Sequence, residues 1–258
     1  MLEKIDVHLV DHCNLKCKSC THFSSIADEF FLDVDEFEKD MRRLSKLTEG
    51  KIKQIFLLGG EPLLHQKVSE FFPITRNLFR NSDIIMITNA ILLNDKDEEF
   101  WKSLRRSDIQ VWISRYVLNI DYKAIEEKAR KHEVRLFYTS TKMTDKNEKS
   151  WMKFTLDAEG KQYWLNAFEK CTLKNCVTLK HGKLYTCPTI AHIEHFNKCF
   201  NKNLEISEFD YVDIYKVNSY SEILKAMVKP TSFCRYCKTN QLEYSTWSTT
   251  KKDISEWT

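Results

Sequence analysis

Residues 13–20 read Cys13-Asn14-Leu15-Lys16-Cys17-Lys18-Ser19-Cys20 and place three thiols on one loop, spaced C-x3-C-x2-C, directly after a short apolar strand. Three cysteines on one loop can bind three irons of a cubane four-iron–four-sulfur cluster. Protein-bound clusters usually have four cysteine ligands, so the fourth iron would be open to a small chelating molecule. A zinc site is the alternative, because zinc sites use similar C-x2–4-C spacings.

A second motif, Gly59-Gly60-Glu61-Pro62, follows the apolar run Ile55-Phe56-Leu57-Leu58. Glycine allows the backbone to approach a ligand closely, and a carboxylate is a suitable partner for an ammonium group. Taken alone, this segment could be an ordinary strand-to-helix turn. The two motifs in this order resemble the radical S-adenosylmethionine (SAM) superfamily, although Ser19 stands where that superfamily usually has an aromatic residue.

The resemblance implies a cofactor site. In the superfamily the open iron binds the amino and carboxylate groups of SAM, and the Gly-Gly-Glu segment binds the amino group, so that Gly59, Gly60 and Glu61 are the matching residues here. Asn89 of the pair Thr88-Asn89 resembles a residue at the end of the third strand, and Ser114, which ends the fourth, could bond the ribose. A turn and a polar strand end are the alternative interpretations of these two positions.

Composition limits the classes of protein that remain. The chain has 258 residues, 42% of them apolar, and a net charge of +3 from 40 basic and 37 acidic residues. Nucleic acid is therefore not an expected partner. We see no signal peptide and no membrane-spanning stretch, and expect a cytoplasmic protein. Nine cysteines in a reducing compartment indicate metal binding rather than disulfides.

Strands and helices alternate along the first half of the chain, which predicts repeated βα units and a parallel sheet. Asp33 is the expected N-cap of the first helix. The strands are predicted at residues 5–10, 53–58, 83–89, 109–114 and 134–138, and the later helices at 67–80, 98–105 and 122–132. The resemblance implies an α/β fold with a partial (β/α)6 radical SAM barrel over residues 1–160. Residues 140–161 are polar and predict a connection to a second module.

A second group of cysteines occupies the last third of the chain. Two short strands around His181-Gly182 predict a hairpin that ends in Cys187, and Cys234-Arg235-Tyr236-Cys237 follows later. This order resembles Twitch, the half-size relative of the SPASM module that binds an auxiliary cluster, here over residues 161–258. The resemblance implies a second [4Fe–4S] cluster; its predicted ligands are Cys171, Cys187, Cys234 and Cys237.

Two alternatives stay open in this region, and one further cysteine has no predicted ligand role. Cys176 competes with Cys171 as a ligand, although it stands close to the hairpin. A zinc ion held by the same four thiolates is the other candidate for the site. Cys199 is expected to be a buried structural thiol.

The resemblance also implies an activity. A 5′-deoxyadenosyl radical derived from SAM would abstract hydrogen from a small polar substrate, and the order of the cysteines is similar to that of dehydrogenases that oxidise 2-deoxy-scyllo-inosamine. Some segments are also similar to radical SAM proteins of polysaccharide gene clusters. We expect dehydrogenation of an alcohol in a sugar or cyclitol, with an electron donor such as flavodoxin or ferredoxin. A sugar epimerase, a peptide-modifying maturase and a non-enzymatic iron–sulfur or zinc regulator are the alternatives.

Overall fold

Strands and helices alternate through the first half of the chain in a computed structural model, which describes residues 1–139, 150–240 and 242–258. The elements of this half are β1 (Leu2–Val10), α1 (Val34–Thr48), β2 (Ile52–Gly59), α2 (Phe71–Leu78), β3 (Asp83–Thr88), α3 (Glu98–Arg106), β4 (Ile109–Ile113), α4 (Tyr122–Lys131) and β5 (Leu136–Tyr138). The first ten residues of the predicted polar connection, 140–149, lie outside the described residues.

The first five strands form a parallel sheet in the order β5-β4-β3-β2-β1. Their register places one row of isoleucines side by side, from Ile5 through Ile55 and Ile84 to Ile109. Each of these side chains is at most 2% exposed, because helices cover parallel sheets on their faces. The predicted α/β class with a mostly parallel sheet is confirmed.

Local signals explain where the helices begin. Asp33 caps α1 as predicted, since its carboxylate accepts hydrogen bonds from the backbone N–H groups of Asp35 and Glu36. The helix predicted over residues 67–80 is shorter in the structure, where a 3-10 turn at Val68–Glu70 precedes α2. Pro73 lies in the first turn of α2, the part of a helix where a missing N–H costs no intrahelical bond.

The second half of the chain adds three strands to the same sheet. Its elements are β6 (Ser150–Lys153), α5 (Trp164–Glu169), β7 (Thr178–Lys180), β8 (Lys183–Tyr185), α6 (Pro188–Ala191), α7 (Ile193–Phe200), β9 (Tyr211–Asp213), α8 (Tyr220–Met227) and β10 (Glu243–Thr246). β7 pairs with β1 in parallel, and β8 and β9 follow antiparallel. The sixth parallel strand therefore lies beside β1 and not beside β5.

The predicted hairpin around His181-Gly182 is present between β7 and β8. Both turn residues have positive φ values, 47° and 69°, as a tight two-residue hairpin requires. A second cluster of buried side chains includes Phe154, Phe196 and Trp257. The domain boundary near residue 160 stays a prediction.

Cys199 corrects one expectation. Its side chain is exposed and not buried. Helix α7 buries Ile193 and Phe196, and Cys199 stands in its last turn, about 90° around the helix axis from the centre of that buried face. In the described parts of the chain, no helix is both long enough and apolar enough to cross a membrane.

Candidate metal and cofactor site

The three clustered cysteines lie at the carboxyl edge of the sheet, beside an open cavity of about 280 Å³. Ligands of parallel α/β sheets bind at this edge. Residues from the loop after β1 and from the ends of β2, β3 and β4 form its wall. The lining consists of Cys13, Leu15, Cys17, Cys20, Thr21, His22, Ser24, Leu58, Gly59, Gly60, Ile87, Thr88, Asn89, Ser114, Tyr116 and Trp151.

The surroundings of the thiols suit a bound metal. Burial raises the pKa of Cys13 to about 12 and also raises the pKa of Cys20. Backbone N–H groups act in the opposite direction: Leu15 N lies 3.3 Å from Cys13 Sγ, and His22 and Ser24 direct theirs at Cys20. Metal ligation requires the thiolate form. Burial disfavours that form, and the N–H donors offset this cost only in part. A positively charged iron site would compensate the remainder.

Two glycines bring the end of β2 against the start of the cysteine loop. A Cβ atom on Gly59, whose φ is 150°, would lie 2.1 Å from the carbonyl oxygen of Val10. A Cβ on Gly60 would lie 2.0 Å from the carbonyl oxygen of His12. The motif predicts a close approach of the backbone to a ligand; the structure shows in addition that two segments of the backbone approach each other here.

Glu61 is completely buried, and protein groups already bond its carboxylate. The two oxygens accept hydrogen bonds from Thr88 Oγ1 at 2.7 Å, from Asn89 N at 2.8 Å and from Leu63 N at 3.1 Å. Burial raises its pKa to about 7 although these bonds act against the rise. The cavity lining contains the two glycines but not Glu61, so its predicted bond to the SAM ammonium stays a prediction.

Asn89 and Ser114 both line the cavity. The side-chain amide of Asn89 donates to Asn14 Oδ1 at 2.7 Å and thereby joins the end of β3 to the cysteine loop. Ser114 N donates to the carbonyl oxygen of Thr88 at 2.9 Å. The structure brings both residues to the three thiols, and their roles toward a ligand remain predictions.

Sequence reasoning missed a C-terminal strap, residues 247–257, that crosses the cysteine loop. Lys18 N donates to Ser248 O at 2.9 Å, and Thr250 N donates to Lys16 O at 2.7 Å. Aromatic residues from outside the loop also reach this site, namely Tyr116, Trp151 and Trp247. The one available signal was Ser19, a small residue where the superfamily usually has an aromatic one, whose hydroxyl donates to Glu256 O of the strap.

The four predicted auxiliary ligands line a second, smaller cavity together. They are Cys171, Cys187, Cys234 and Cys237. Burial raises the pKa of Cys187, and the neighbouring thiols act in the same direction. Cys176 does not line this cavity; its thiol lies by Lys4 and Asp6 of β1.

A buried charged cluster lies behind the cysteine loop. Asp11 accepts from Lys180 Nζ at 3.0 Å and contacts His195 Nε2 at 3.1 Å, while the rings of His8 and His192 stack 3.7 Å apart. Burial alone would raise the pKa of Asp11, but its bonds with His195 and His8 hold that pKa well below the usual range. Burial lowers the pKa of both stacked histidines.

The two histidines that flank the loop differ in position. His22 lines the cavity, and its Nδ1 lies 2.6 Å from His8 Nε2. His12 turns the other way, and its ring accepts a hydrogen bond from Phe30 N at 3.3 Å.

Comparison with known proteins decides the family. The family model described as the radical SAM superfamily matches residues 7–148, more than half of the chain. The chain belongs to the radical SAM superfamily. Members of this superfamily bind a [4Fe–4S] cluster and SAM, and the three thiols beside an open cavity fit those groups.

Curated relatives of this radical SAM chain include GTP 3′,8-cyclases. The enzyme of Clostridium botulinum (strain Hall / ATCC 3502 / NCTC 13319 / Type A) is 30% identical over 106 residues, which is 41% of this chain and 33% of the relative. The enzyme of Petrotoga mobilis is 30% identical over 129 residues, 49% of this chain and 39% of the relative. The chain thus spans a third to two fifths of the length of these relatives.

Solved radical SAM structures resemble the chain over nearly its whole length. BtrN in complex with AdoMet and 2-DOIA has a TM-score of 0.56 at 17% identity, covering 92% of this chain and 93% of that one. The enzyme anSMEcpe with bound AdoMet has a TM-score of 0.51 at 13% identity, covering 91% and 82%. At these identities the similarity shows a shared fold.

Proposed function

We propose that this radical SAM enzyme dehydrogenates an alcohol carbon of a small polar sugar or cyclitol. The observation that carries the proposal is the second cavity, where four thiols from distant parts of the chain converge. A net two-electron oxidation needs an acceptor for the second electron, and a cluster at these thiols would supply one. The whole-length fold similarity to BtrN, solved with 2-DOIA, supports the same class of substrate.

In this proposal residues 161–258 form a Twitch module that binds a second [4Fe–4S] cluster. Its proposed ligands come from three places in the module, listed here in chain order: Cys171, Cys187, and Cys234 with Cys237. Cys187 stands immediately before α6, Cys234 lies within the 3-10 turn at Ser232–Tyr236, and Cys237 follows that turn directly. The cysteines of distant segments meet because α5 packs on this turn.

The residues around the first cavity have separate tasks. SAM and its cluster, when bound, supply a 5′-deoxyadenosyl radical. In this proposal the backbone of Gly60 and the side chains of Asn89 and Ser114 bind SAM, and the rings of Tyr116 and Trp151, which line the same cavity, exclude water from it. Exclusion of water protects a reactive radical from side reactions.

The proposed reaction balances. The substrate carbon loses one hydrogen atom to the adenosyl radical and its hydroxyl loses a proton to solvent. The remaining electron would pass to a cluster held by the four thiols of the second cavity, so that the carbon becomes a carbonyl. Cleavage of SAM would take up one electron from a donor such as flavodoxin or ferredoxin, and the electron left by the substrate would return to the same electron-transfer protein. One electron thus enters and one leaves for each SAM consumed.

An epimerase is the second candidate, and it needs a hydrogen donor near the substrate. Cys176 and Cys199 are the two cysteines that are not predicted cluster ligands, and they are therefore the candidates for that donor. Neither lines the first cavity: Cys176 lies beside β1, and Cys199 is exposed on α7. Dehydrogenation therefore has the better support.

Turnover in deuterated water separates the candidates. Purified anaerobic enzyme would be incubated with SAM, a reductant and a panel of amino-cyclitols and nucleotide sugars. We expect a carbonyl product and about one 5′-deoxyadenosine per product, because SAM is consumed. Deuterium at an inverted carbon, with no carbonyl product, would identify an epimerase. Modification of a peptide instead would refute the small-molecule proposal.

A further inference from the structure

The C-terminal strap holds the cysteine loop by backbone bonds on both sides of Cys17. Cys17 and Thr249 form an antiparallel bridge, and the flanking bonds join Lys18 N to Ser248 O and Thr250 N to Lys16 O. The strap itself is anchored in the second cluster of buried side chains, where Leu156 N donates to Trp257 O at 2.6 Å. The position of the strap relative to the loop is therefore fixed by groups that do not touch sulfur.

Three tryptophans direct indole N–H groups at this loop, and they divide into two kinds. Trp151 donates to the carbonyl oxygen of Lys18 at 2.7 Å, and Trp257 donates to that of Cys20 at 3.0 Å. Trp247 donates to the sulfur of Cys17 at 3.1 Å. The first two stabilise the backbone of the loop, whereas the third bonds a predicted iron ligand directly.

The surroundings of Cys17 make this bond effective. The residue is 6% exposed, so water screens the interaction weakly. The ring of Tyr116 lies 5.3 Å from that of Trp247, and its hydroxyl also faces Cys17. Two donors thus converge on one buried sulfur.

A hydrogen bond to a ligand sulfur grows stronger as negative charge accumulates on the cluster. Reduction adds one electron, and part of the added charge resides on the thiolate sulfurs. Donors to these sulfurs therefore favour the reduced state, and hydrogen bonding is one of the determinants of cluster potentials.

We propose that Trp247 is a positioning residue that raises the reduction potential of the cluster bound by Cys13, Cys17 and Cys20. It acts through the sulfur of Cys17 and requires no contact with SAM or substrate. The proposal rests on the family's cluster and is independent of the second cavity.

The test is a redox titration of anaerobically loaded protein, followed by electron paramagnetic resonance. The signal that changes when SAM is added reports the first cluster. In Trp247→Phe we expect the ratio of reduced to oxidised cluster at a fixed potential to fall about threefold to tenfold. This corresponds to a shift on the order of 30 to 60 mV toward negative values for a one-electron couple.

A second variant, with benzothienylalanine at position 247, serves as a control for the shape of the side chain. It keeps the shape of the indole ring but lacks the N–H donor. It should reproduce the shift at full iron content, so the result does not depend on whether the phenylalanine variant loads its iron. Trp164→Phe, an exposed indole of α5, should leave the potential unchanged. An unaltered potential in the benzothienyl variant, or an equal shift in Trp164→Phe, would overturn the proposal.

Discussion

Gly60 shows how little space separates the two cofactor motifs. Its backbone N–H donates to Val10 O at 2.8 Å, and the next residue donates to His12 O at 3.2 Å. The glycine motif therefore fixes the path of the chain into the cysteine loop. Sequence reasoning identified the residue correctly as a place of close approach, but only the structure shows which group approaches.

The first prediction concerns this contact. Gly60→Ala would place a Cβ 2.0 Å from a backbone oxygen and 2.8 Å from Cys13 N, so the loop must move. We expect loss of most of the iron at the first site and at least a hundredfold fall in SAM cleavage, measured by iron analysis and 5′-deoxyadenosine release. Gly50→Ala is the matched control: φ there is 67°, which costs about 1 kcal/mol of stability, but iron content should be retained.

At the scale of elements, the strands and turns that could be predicted are those with a local pattern in the sequence. Strands β1 to β4 are five to nine residues long and show either a short apolar run or an alternation of apolar and polar residues, and the β7–β8 hairpin has a glycine turn, so each was found. The pairing of β10 with β6 was missed because Glu243–Thr246 is exposed throughout and has no apolar period. The strap was missed because its bonds to the loop are backbone bonds, which any sequence can make.

The second prediction concerns two stacked rings, those of His192 at the end of helix α6 and His8 of strand β1. Burial lowers both pKa values, so below about pH 6.5 the unfolded chain binds protons that the folded chain does not. The free energy of unfolding should then fall with decreasing pH, by about 1.4 kcal/mol per histidine per pH unit. Urea unfolding at pH 7.5, 6.5 and 5.5 measures this slope.

A single substitution isolates one of the two rings. His192→Gln keeps an acceptor for Lys180 and removes one titrating ring, so its slope should be smaller than that of the unaltered protein by up to about 1.4 kcal/mol per pH unit. A slope in His192→Gln equal to that of the parent would contradict the assignment.

At the scale of the whole molecule, the third prediction is the metal content. Two cubane clusters correspond to about eight irons per chain. Replacing Cys13, Cys17 and Cys20 by alanine should remove half of the iron and all SAM cleavage, while Cys171→Ala should remove only the other half. Cys176→Ala is the matched control within the same segment and should retain both clusters. Stoichiometric zinc in place of the second iron set would contradict the Twitch proposal.

The pairing of β7 with β1 has a consequence for the order in which the chain can fold. During synthesis β1 is made first, yet one of its edges stays without a partner until residues 177–179 emerge to meet residues 6 and 7. An unpaired apolar edge is a template for association with other chains, and closing so long a loop is slow. Nascent chains shorter than about 180 residues should therefore depend on chaperones, and insertion of iron at the N-terminal cysteines should come late, after the ribosome has released the residues that close over them.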